Sequence, residues 1–281
     1  MGKWPVIPAN RSDDIHNLAY LDRADLILFV AGNQFMVMEE LLGAFQQSYP
    51  EIKHIFYETL PPGLELKQIL AGGAVFQDKI LPGTPDVYAA VSEEAMHVLE
   101  KNELIRKSDY FIYLHNRIVL MVREGNPLGI ASVLDLGKDE VRISQPNPEL
   151  EDIGIHIVNM YREAGGETLV YRIMEEKRAE GTTIFTVVHH RETPLRLRKG
   201  TVDVGPVWAT EVAEARKKGL KVEMVEPGEL LDQRNKVNYF ITSLKCAPHP
   251  ESAQKFLDFI KSKTAQSIYQ KYGFIPHFDT N

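Results

Sequence analysis

The sequence has one cysteine, Cys246, and no long hydrophobic run. A single cysteine cannot form a disulfide within the chain, and it excludes a cysteine-rich zinc site. The longest apolar segments, such as Leu26–Gly32, have the length of strands and fall short of the roughly 20 residues that cross a bilayer. Because a small apolar side chain that follows a strand usually packs inside, we expect Cys246 to be buried rather than nucleophilic.

Positive charge is also scarce. The chain carries 32 Lys and Arg against 39 Asp and Glu, which gives a formal net charge of −7. Nonspecific nucleic-acid binding requires clustered positive charge, so we expect no nucleic-acid partner. A local site for a small anion is compatible with this balance. The hydrophobic content of 44% is typical of a soluble globular protein, and 281 residues suffice for one large domain or two smaller lobes.

Neither a secretory signal nor an enzyme signature is present. The segment Met1–Trp4 lacks the apolar stretch of a signal peptide, which leaves two interpretations. The protein is cytoplasmic, or the sequence is the mature form of an exported protein. The phosphate-binding, nucleophile-elbow, zinc-protease and dinucleotide-binding motifs are all missing. We therefore expect neither an enzyme nor a cofactor.

What the sequence does contain is a regular alternation of apolar strands and amphipathic helices. Leu26–Val30 is a continuous apolar run, typical of a strand buried on both faces. From Phe35 to Phe45 the apolar residues recur every three or four positions, which predicts a helix. The alternation continues to the C-terminus and predicts an α/β fold with mostly parallel sheets flanked by helices. Residues 1–24 show no clear period and are expected to form an N-terminal extension.

The turns that follow the strands are the expected ligand site. In sheets of this kind ligands bind at the carboxyl ends of strands, where helices begin. Helix N-termini present backbone N–H groups and a partial positive charge, so several of them together would bind an anion. The candidate ligand-binding residues are Asn33, Gln34, Thr59, Gly63, Tyr88, Ile153, Gly154, His189, His190, Arg191 and Trp208.

One of these turns, His189-His190-Arg191, has more than one interpretation. The planar guanidinium of Arg191 suits a carboxylate or an oxyanion, and it also suits a surface ion pair with a nearby glutamate. The two histidines could ligate a metal ion with partners from elsewhere in the fold, or one could be a general base. Thr193 and Pro194 are predicted to be the N-cap and the first residue of the following helix.

Several segments together carry a family resemblance. They are Leu28–Asn33 with the helix that follows, Leu66–Gly73, Pro85–Ala90, Leu197–Gly205, and the C-terminal stretch from His249 to Phe259 with Tyr272–Phe274. Over nearly the whole chain after Asp25 they resemble periplasmic solute-binding proteins of ABC transporters, in particular the molybdate-binding family of type II periplasmic binding proteins.

The resemblance implies a two-lobed periplasmic-binding-protein-like fold with two crossover hinge strands. Lobe I would comprise residues 25–112 and 225–281, and lobe II residues 113–224. It also implies a periplasmic or otherwise extracytoplasmic receptor, without enzymatic activity. Such a receptor captures a small anion between its lobes and delivers it to an ABC permease in the membrane. We expect it to be a monomer.

The candidate turns differ in chemistry from those of molybdate-binding members. These members place hydroxyl side chains at the first two turns and a tyrosine in the cleft. This chain has Asn33, Pro62-Gly63 and Trp208 at the matching positions. The ligand is therefore left open between an oxyanion, such as molybdate or tungstate, and a small organic acid. A metal-ion receptor, and a cytoplasmic two-lobed sensor or enzyme that uses the turn at residues 189–191, are the alternatives.

Overall fold

The computed structural model describes residues 4–280, and the side chains of Asp152, His189 and His190 lie outside this description. The chain forms two compact units. The first contains residues 4–115, 238–271 and 275–280, and the second contains residues 116–237 and 272–274. Each unit has its own sheet and helices, so the predicted two-lobed α/β fold is confirmed. In residues 4–280 we find no helix with the length and apolarity that a membrane span requires.

The strands are, in chain order, β1 (Val6–Ile7), β2 (Ile15–His16), β3 (Leu26–Phe29), β4 (Ile55–Glu58), β5 (Gly73–Phe76), β6 (Lys79–Pro82), β7 (Val87–Ala90), β8 (Tyr110–His115), β9 (Ile118–Arg123), β10 (Ile143–Pro146), β11 (Thr183–Thr186), β12 (Val204–Trp208), β13 (Val222–Val225), β14 (Asn238–Ser243) and β15 (Ile275–Pro276). The α-helices are α1 (Phe35–Ser48), α2 (Pro62–Ala71), α3 (Glu93–Lys101), α4 (Asp152–Tyr171), α5 (Lys177–Ala179), α6 (His189–Lys199), α7 (Ala209–Lys217), α8 (Pro250–Ile260) and α9 (Lys263–Lys271).

The first unit is built on a seven-stranded sheet in the order β15-β8-β14-β7-β3-β4-β2. All four residues of β3 are buried, as its apolar run predicts. The predicted helix after it is confirmed as α1, which buries Met38, Leu41 and Phe45 along one face. Strands β3 and β4 pair in parallel and are joined through α1, so this part of the sheet is a β–α–β unit.

A small three-stranded sheet, in the order β1-β5-β6, also belongs to the first unit. No strand is predicted from the sequence between residues 73 and 82, because the segment is short and lacks a clear alternation of apolar and polar residues. Residues of the expected N-terminal extension join both sheets of this unit. Val6–Ile7 pairs in parallel with β5, and Ile15–His16 pairs with β4 and forms one edge of the seven-stranded sheet.

The second unit is built on a five-stranded sheet in the order β11-β10-β12-β9-β13. Its strands β10, β11 and β12 pair in parallel. Helices α6 and α7 pack on it, and their buried residues Leu197 and Val212 share one apolar cluster with Val119 and Val207 of the sheet. These two helices therefore begin close to the carboxyl ends of β11 and β12, respectively.

The strand directions are more mixed than the sequence pattern predicts. Strand β14 runs antiparallel to both of its neighbours, β7 and β8, and β9 runs antiparallel to both β12 and β13. Each of these two strands is the first one after the chain passes from one unit to the other. A strand that enters a sheet without a crossover helix is not constrained to run parallel to its neighbours. The parallel pairs lie inside the seven-stranded sheet, at β7-β3-β4, and at the β11 edge of the five-stranded sheet.

The predicted start of α6 was wrong. The helix begins at His189, so Pro194 lies inside it rather than at its first position. Two backbone N–H groups of the first turn bond to the carbonyl oxygen of Val188, which closes the helix five residues earlier than the sequence rule predicts. Thr193 does not cap the helix, because its hydroxyl lies 2.9 Å from that of Ser144. A tertiary hydrogen bond thus replaces the local one.

The predicted burial of Cys246 was also wrong, because this residue is exposed. The strand before it ends at Ser243, and Leu244 takes the last inward position, with 3% of its surface exposed. Cys246 then lies in the turn that leads to α8. The apolar run that suggested a buried position thus ends two residues before the cysteine.

Candidate functional site

The first candidate turn connects β3 to α1 and consists of a short 3-10 segment, Gly32–Gln34. Gly32 brings this turn against the next one along the sheet. A Cβ atom on Gly32 would lie 2.9 Å from the carbonyl oxygen of Thr59, which is closer than real side chains come to backbone. Glycine is therefore required for the two turns to approach each other, and this approach places Asn33 near the start of α2.

Gln34 is fully buried and its amide is used within the protein. Its Nε2 donates to the Tyr113 hydroxyl at 2.7 Å, and its Oε1 accepts from the Tyr269 hydroxyl at 3.0 Å. The two hydroxyl groups are also hydrogen bonded to each other. Burial raises the pKa of both phenols well above the ordinary value of 10, so both are neutral donors. The ring of three side chains holds the first turn in place.

Asn33 differs from the other predicted residues. Its side chain is 6% exposed, and its Nδ2 donates to the hydroxyl of Tyr239. Its Oδ1 is buried and has no hydrogen-bond partner. Among the predicted site residues whose side chains are described, Asn33 is the one with such an unsatisfied atom. A buried acceptor without a donor is costly, so a ligand that supplies one would be stabilised here.

The second turn runs from the end of β4 into α2. The Thr59 hydroxyl is hydrogen bonded to Nε2 of His16 at 2.9 Å, and the ring of His16 stacks on Tyr57 with 4.2 Å between centroids. Tyr88 is fully buried, and its hydroxyl donates to the carbonyl oxygen of Pro62 at 2.9 Å. Gly63 is exposed in the first turn of α2. The side chains of Thr59 and Tyr88 thus hold this turn in place. The turn can contact a ligand through its backbone groups.

In the second unit, the turn after β10 enters α4 through Ile153 and Gly154, both buried. A Cβ atom on Gly154 would lie 2.5 Å from Cα of Pro148, and backbone cannot yield at that distance. The residues of this turn therefore pack directly against the first residues of α4. Glu151 precedes the helix, 7% exposed, and its carboxylate accepts from the Thr186 hydroxyl at 2.5 Å.

The remaining predicted residues of this unit lie at the starts of α6 and α7. Arg191 is half-buried in the first turn of α6, and the side chains of His189 and His190 lie outside the described part of the structure. Trp208 is the residue before α7 and is 2% exposed. Its ring lies 6.1 Å from that of His156. Burial lowers the pKa of His156, and Lys236 lowers it further, so the neutral imidazole is favoured.

The helices that begin after these strands share one property. None of the residues that precede α1, α2, α4, α6 and α7 accepts a hydrogen bond from the helix through its side chain. Backbone N–H groups at a helix start have no partner within the helix, and side chains or ligands usually satisfy them. Both units therefore present helix N-termini that can accept an anion.

Comparison with known proteins identifies the family. The sequence profile of the bacterial extracellular solute-binding proteins matches residues 26–275. The chain belongs to this family. A protein of Bacillus subtilis (strain 168) named as an ABC transporter substrate-binding lipoprotein, YvgL, is 23% identical over 219 residues, which is 78% of each chain. The sulfate-binding protein of Synechococcus elongatus is 26% identical over 245 residues, 83% of this chain and 69% of that protein.

A solved structure shows the same fold. The periplasmic molybdate-binding protein of Azotobacter vinelandii superposes with a TM-score of 0.70 over 89% of this chain and 98% of its own, at 16% identity. Members of the family are binding proteins of ABC transporters and not enzymes, so the enzyme alternative is excluded for this solute-binding protein. In the described residues, no three His, Cys, Asp or Glu side chains come together to hold a metal ion, and the side chains of His189 and His190 lie outside that description.

The partners of the first turn in this solute-binding protein were not found from the sequence. Tyr239, Tyr113 and Tyr269 lie 206, 79 and 235 residues along the chain from the Asn33–Gln34 pair that they contact. No local pattern marks a tyrosine for such a contact. The one sequence signal for Tyr113 and Tyr239 is that they lie within Ile112–Ile118 and Lys221–Tyr239, the two segments where the family resemblance implies the crossings.

Proposed function

We propose that this solute-binding protein captures a small anion outside the cytoplasm and delivers it to an ABC permease in the membrane. The ligand is an oxyanion or a small organic acid. The sulfate-binding and molybdate-binding relatives support an anionic ligand, and the relative named for an ABC transporter supports the permease. The family description supports a position outside the cytoplasm. The lobe boundaries at residues 112 and 225, and the monomeric state, stay predictions.

This proposal rests on one observation, that helices in each unit begin without a capping side chain. In the first unit they follow β3 and β4, and in the second they follow β10, β11 and β12. The partial positive charge of a helix N-terminus and its free N–H groups stabilise an anion. Each unit, taken by itself, thus has helix starts that suit an anion.

The predicted site residues fall into distinct roles in this proposal. Asn33 contacts the ligand through its side chain, and Arg191 through its guanidinium. Ile153 contributes a backbone N–H group, as does Gly63 in the second turn. The N–H of Gly154 donates to the carbonyl oxygen of Glu151 at 2.9 Å, so the role of Gly154 is to keep this turn closed. The other predicted residues position the turns or line the site, and they are Gln34, Thr59, Tyr88 and Trp208. The contribution of His189 and His190 stays a prediction.

The experiment is a ligand-dependent thermal shift against a panel of oxyanions and carboxylates. A ligand at about 100 times its Kd stabilises the folded state by about 2.7 kcal/mol, which raises the melting temperature by several degrees. Sodium chloride at matched ionic strength controls for general screening. A panel in which no anion at millimolar concentration shifts the melting temperature would count against the proposal.

Gly154→Ala tests the turn before α4. The added Cβ meets the backbone of Pro148 at 2.5 Å, so the turn must open. We expect a loss of about 2 kcal/mol in stability and at least a tenfold weaker binding of the anion found in the panel. Gly43→Ala, in α1, is the matched control, because a Cβ there has nothing within 4 Å and Gly43 is not a predicted site residue. Equal affinity of the Gly154 variant and the wild type would remove this turn from the site.

Arg191→Ala tests the guanidinium. A hydrogen bond to a charged group contributes about 1.5–3 kcal/mol, so we expect binding to weaken by about tenfold to a hundredfold. Isothermal titration calorimetry measures the change, and the melting temperature of the ligand-free protein shows that the fold is kept. Arg198→Ala, exposed on the same helix, is the control and is expected to bind as the wild type does. Unchanged affinity after Arg191→Ala would show that Arg191 does not contact the ligand.

A further inference from the structure

We propose that His115 and His277 together bind a divalent transition-metal ion that prefers right-angled coordination, of the Ni²⁺ or Cu²⁺ type. The two histidines are 162 residues apart in sequence and meet at the β15 edge of the seven-stranded sheet, within the first unit. Neither of them is among the predicted ligand-binding residues. The inference therefore goes beyond the proposed function and does not depend on it.

The first observation is the distance between two ring nitrogen atoms. Nε2 of His115 lies 2.9 Å from Nδ1 of His277. With metal–nitrogen bonds of about 2.0–2.1 Å, two nitrogen ligands at a right angle lie about 2.9 Å apart, and two at the tetrahedral angle lie about 3.3 Å apart. The observed separation is that of neighbouring ligands at a right angle. Tetragonal coordination by nitrogen and oxygen is typical of Cu²⁺ and Ni²⁺, whereas Zn²⁺ prefers the tetrahedron.

The second observation is that a neighbouring amide orients the ring of His115. Nδ1 of His115 lies 2.8 Å from Oδ1 of Asn238, and the two residues are paired across β8 and β14. An amide oxygen only accepts, so Nδ1 carries the proton, and neutral His115 has its lone pair on Nε2. A hydrogen bond from the other ring nitrogen to an oxygen is the usual support of a histidine that binds a metal.

The backbone of His277 is held in place as well. Its N–H and that of Phe278 both donate to Oε1 of Gln266, at 3.0 and 3.2 Å. Gln266 is fully buried, and its Nε2 donates to the carbonyl oxygens of Tyr113 and Ile260 at 3.1 and 2.8 Å. Buried groups thus fix the backbone position of His277, whereas its side chain is exposed and its ring can turn.

Metal binding replaces the hydrogen bond between the two rings. Without a metal, Nδ1 of neutral His277 donates to Nε2 of His115. The ion requires a lone pair on both atoms, so His277 changes to the tautomer with its proton on Nε2, and its ring turns until Nδ1 points at the ion. In the described residues no third His, Cys, Asp or Glu side chain joins the pair, so water completes the coordination.

The test is isothermal titration of the full chain, without an affinity tag, with nickel chloride in a buffer that does not coordinate metals. We expect Ni²⁺ to bind, more tightly than Zn²⁺, and His115→Ala and His277→Ala each to weaken binding at least tenfold. His97→Ala, which removes an exposed histidine of α3, is the control and is expected to bind as the wild type does. Absence of Ni²⁺ binding, unchanged affinity in both variants, or tighter binding of Zn²⁺ would overturn the inference.

Electron paramagnetic resonance of the chain loaded with one equivalent of Cu²⁺ counts the nitrogen ligands directly. We expect hyperfine structure from two imidazole nitrogens in the wild type and from one in His277→Ala. The melting temperature of the metal-free variant shows whether the fold is kept. A spectrum that His277→Ala leaves unchanged would place the ion at other residues, and the inference would be wrong.

Asn238 is a positioning residue, because it acts on the ion through His115. Loss of such a partner typically weakens metal binding about 10–100-fold, so we expect Asn238→Leu to lower the Ni²⁺ affinity at least tenfold. Asn238→Asp keeps an acceptor for Nδ1 and should bind Ni²⁺ at least as tightly as the wild type. A merely structural role would change the melting temperature of the metal-free protein and not this contrast. Equal Ni²⁺ affinities of the two variants would contradict the inference.

Discussion

Asp86→Ala is expected to lower the free energy of unfolding by about 4 kcal/mol, the largest effect among the substitutions considered. Asp86 is fully buried and immediately precedes β7. Its carboxylate accepts from the backbone N–H of Ile27 at 2.7 Å, and from the backbone N–H and ring Nδ1 of His249 at 2.5 and 2.9 Å. It therefore joins β3 to the residue that precedes α8.

The size of this effect follows from what the substitution leaves behind. Alanine removes the acceptor, and the buried N–H of Ile27 loses its partner in the interior of the sheet. An unsatisfied buried group costs about 1–3 kcal/mol, and bonds to a charged acceptor are the strong ones. Chemical denaturation measures the loss. Asp78→Ala, at an exposed position, is the control, and a loss at Asp86 no larger than at Asp78 would show that these bonds contribute little.

Glu58→Gln is expected to make the protein about 3 kcal/mol more stable at pH 7, with little change below pH 5. Glu58 is fully buried at the end of β4, and burial raises the pKa of its carboxyl from the ordinary 4.5 to about 8. Gln68 Nε2 donates to Glu58 Oε1 at 3.0 Å and to the carbonyl oxygen of Pro82 at 2.8 Å. Glu58 Oε2 and Gln68 Oε1 are buried without partners, and a proton on the carboxyl is the donor that this pair of acceptors lacks.

The direction of the pH dependence follows from the raised pKa. Below pH 4.5 the carboxyl is protonated in both the folded and the unfolded chain, and its contribution is fully present. As the pH rises, the unfolded chain ionises first, so the stability of the folded chain falls until about pH 8 and then levels off. One pKa unit corresponds to 1.36 kcal/mol, which gives the figure of about 3 kcal/mol at pH 7.

The measurement is the free energy of unfolding of the Glu58 variant minus that of the wild type, at pH values from 4 to 9. Other groups titrate in both proteins and largely cancel in the difference. Glu175→Gln, at an exposed position, should give a difference near zero throughout this range. A Glu58 difference that does not grow between pH 5 and pH 8 would show that the carboxyl is ionised when folded.

The backbone elements were predicted from the sequence more fully than the contacts between them. The strand β3 and the helix α1 are marked by their own apolar residues, because burial on both faces or along one stripe leaves a local pattern. The hairpin of β5 and β6 was missed, since each strand is four residues long and neither alternates between buried and exposed positions. The start of α6 was misplaced, because Thr193 bonds to Ser144 rather than to its own helix.

In the candidate site, too, some features can be predicted from the sequence and others cannot. Helix starts after strands can be predicted from the sequence, and Asn33 was selected in this way. Whether a side chain is available to a ligand depends on partners far along the chain, such as Tyr239 for Asn33 and the two tyrosines for Gln34. Burial of Glu151 is likewise a property of packing, and nothing in the turn sequence distinguishes it from a solvated carboxylate.

The exposed position of Cys246 makes the unmodified protein ready for single-site labelling. Because this is the only thiol in the chain, a maleimide dye would attach at one place without any cysteine being removed first. The turn between β14 and α8 that carries it also lies apart in sequence from every predicted ligand-binding residue. A dye can therefore be attached at this turn without changing any predicted ligand-binding residue, in the same preparation that is used for calorimetry.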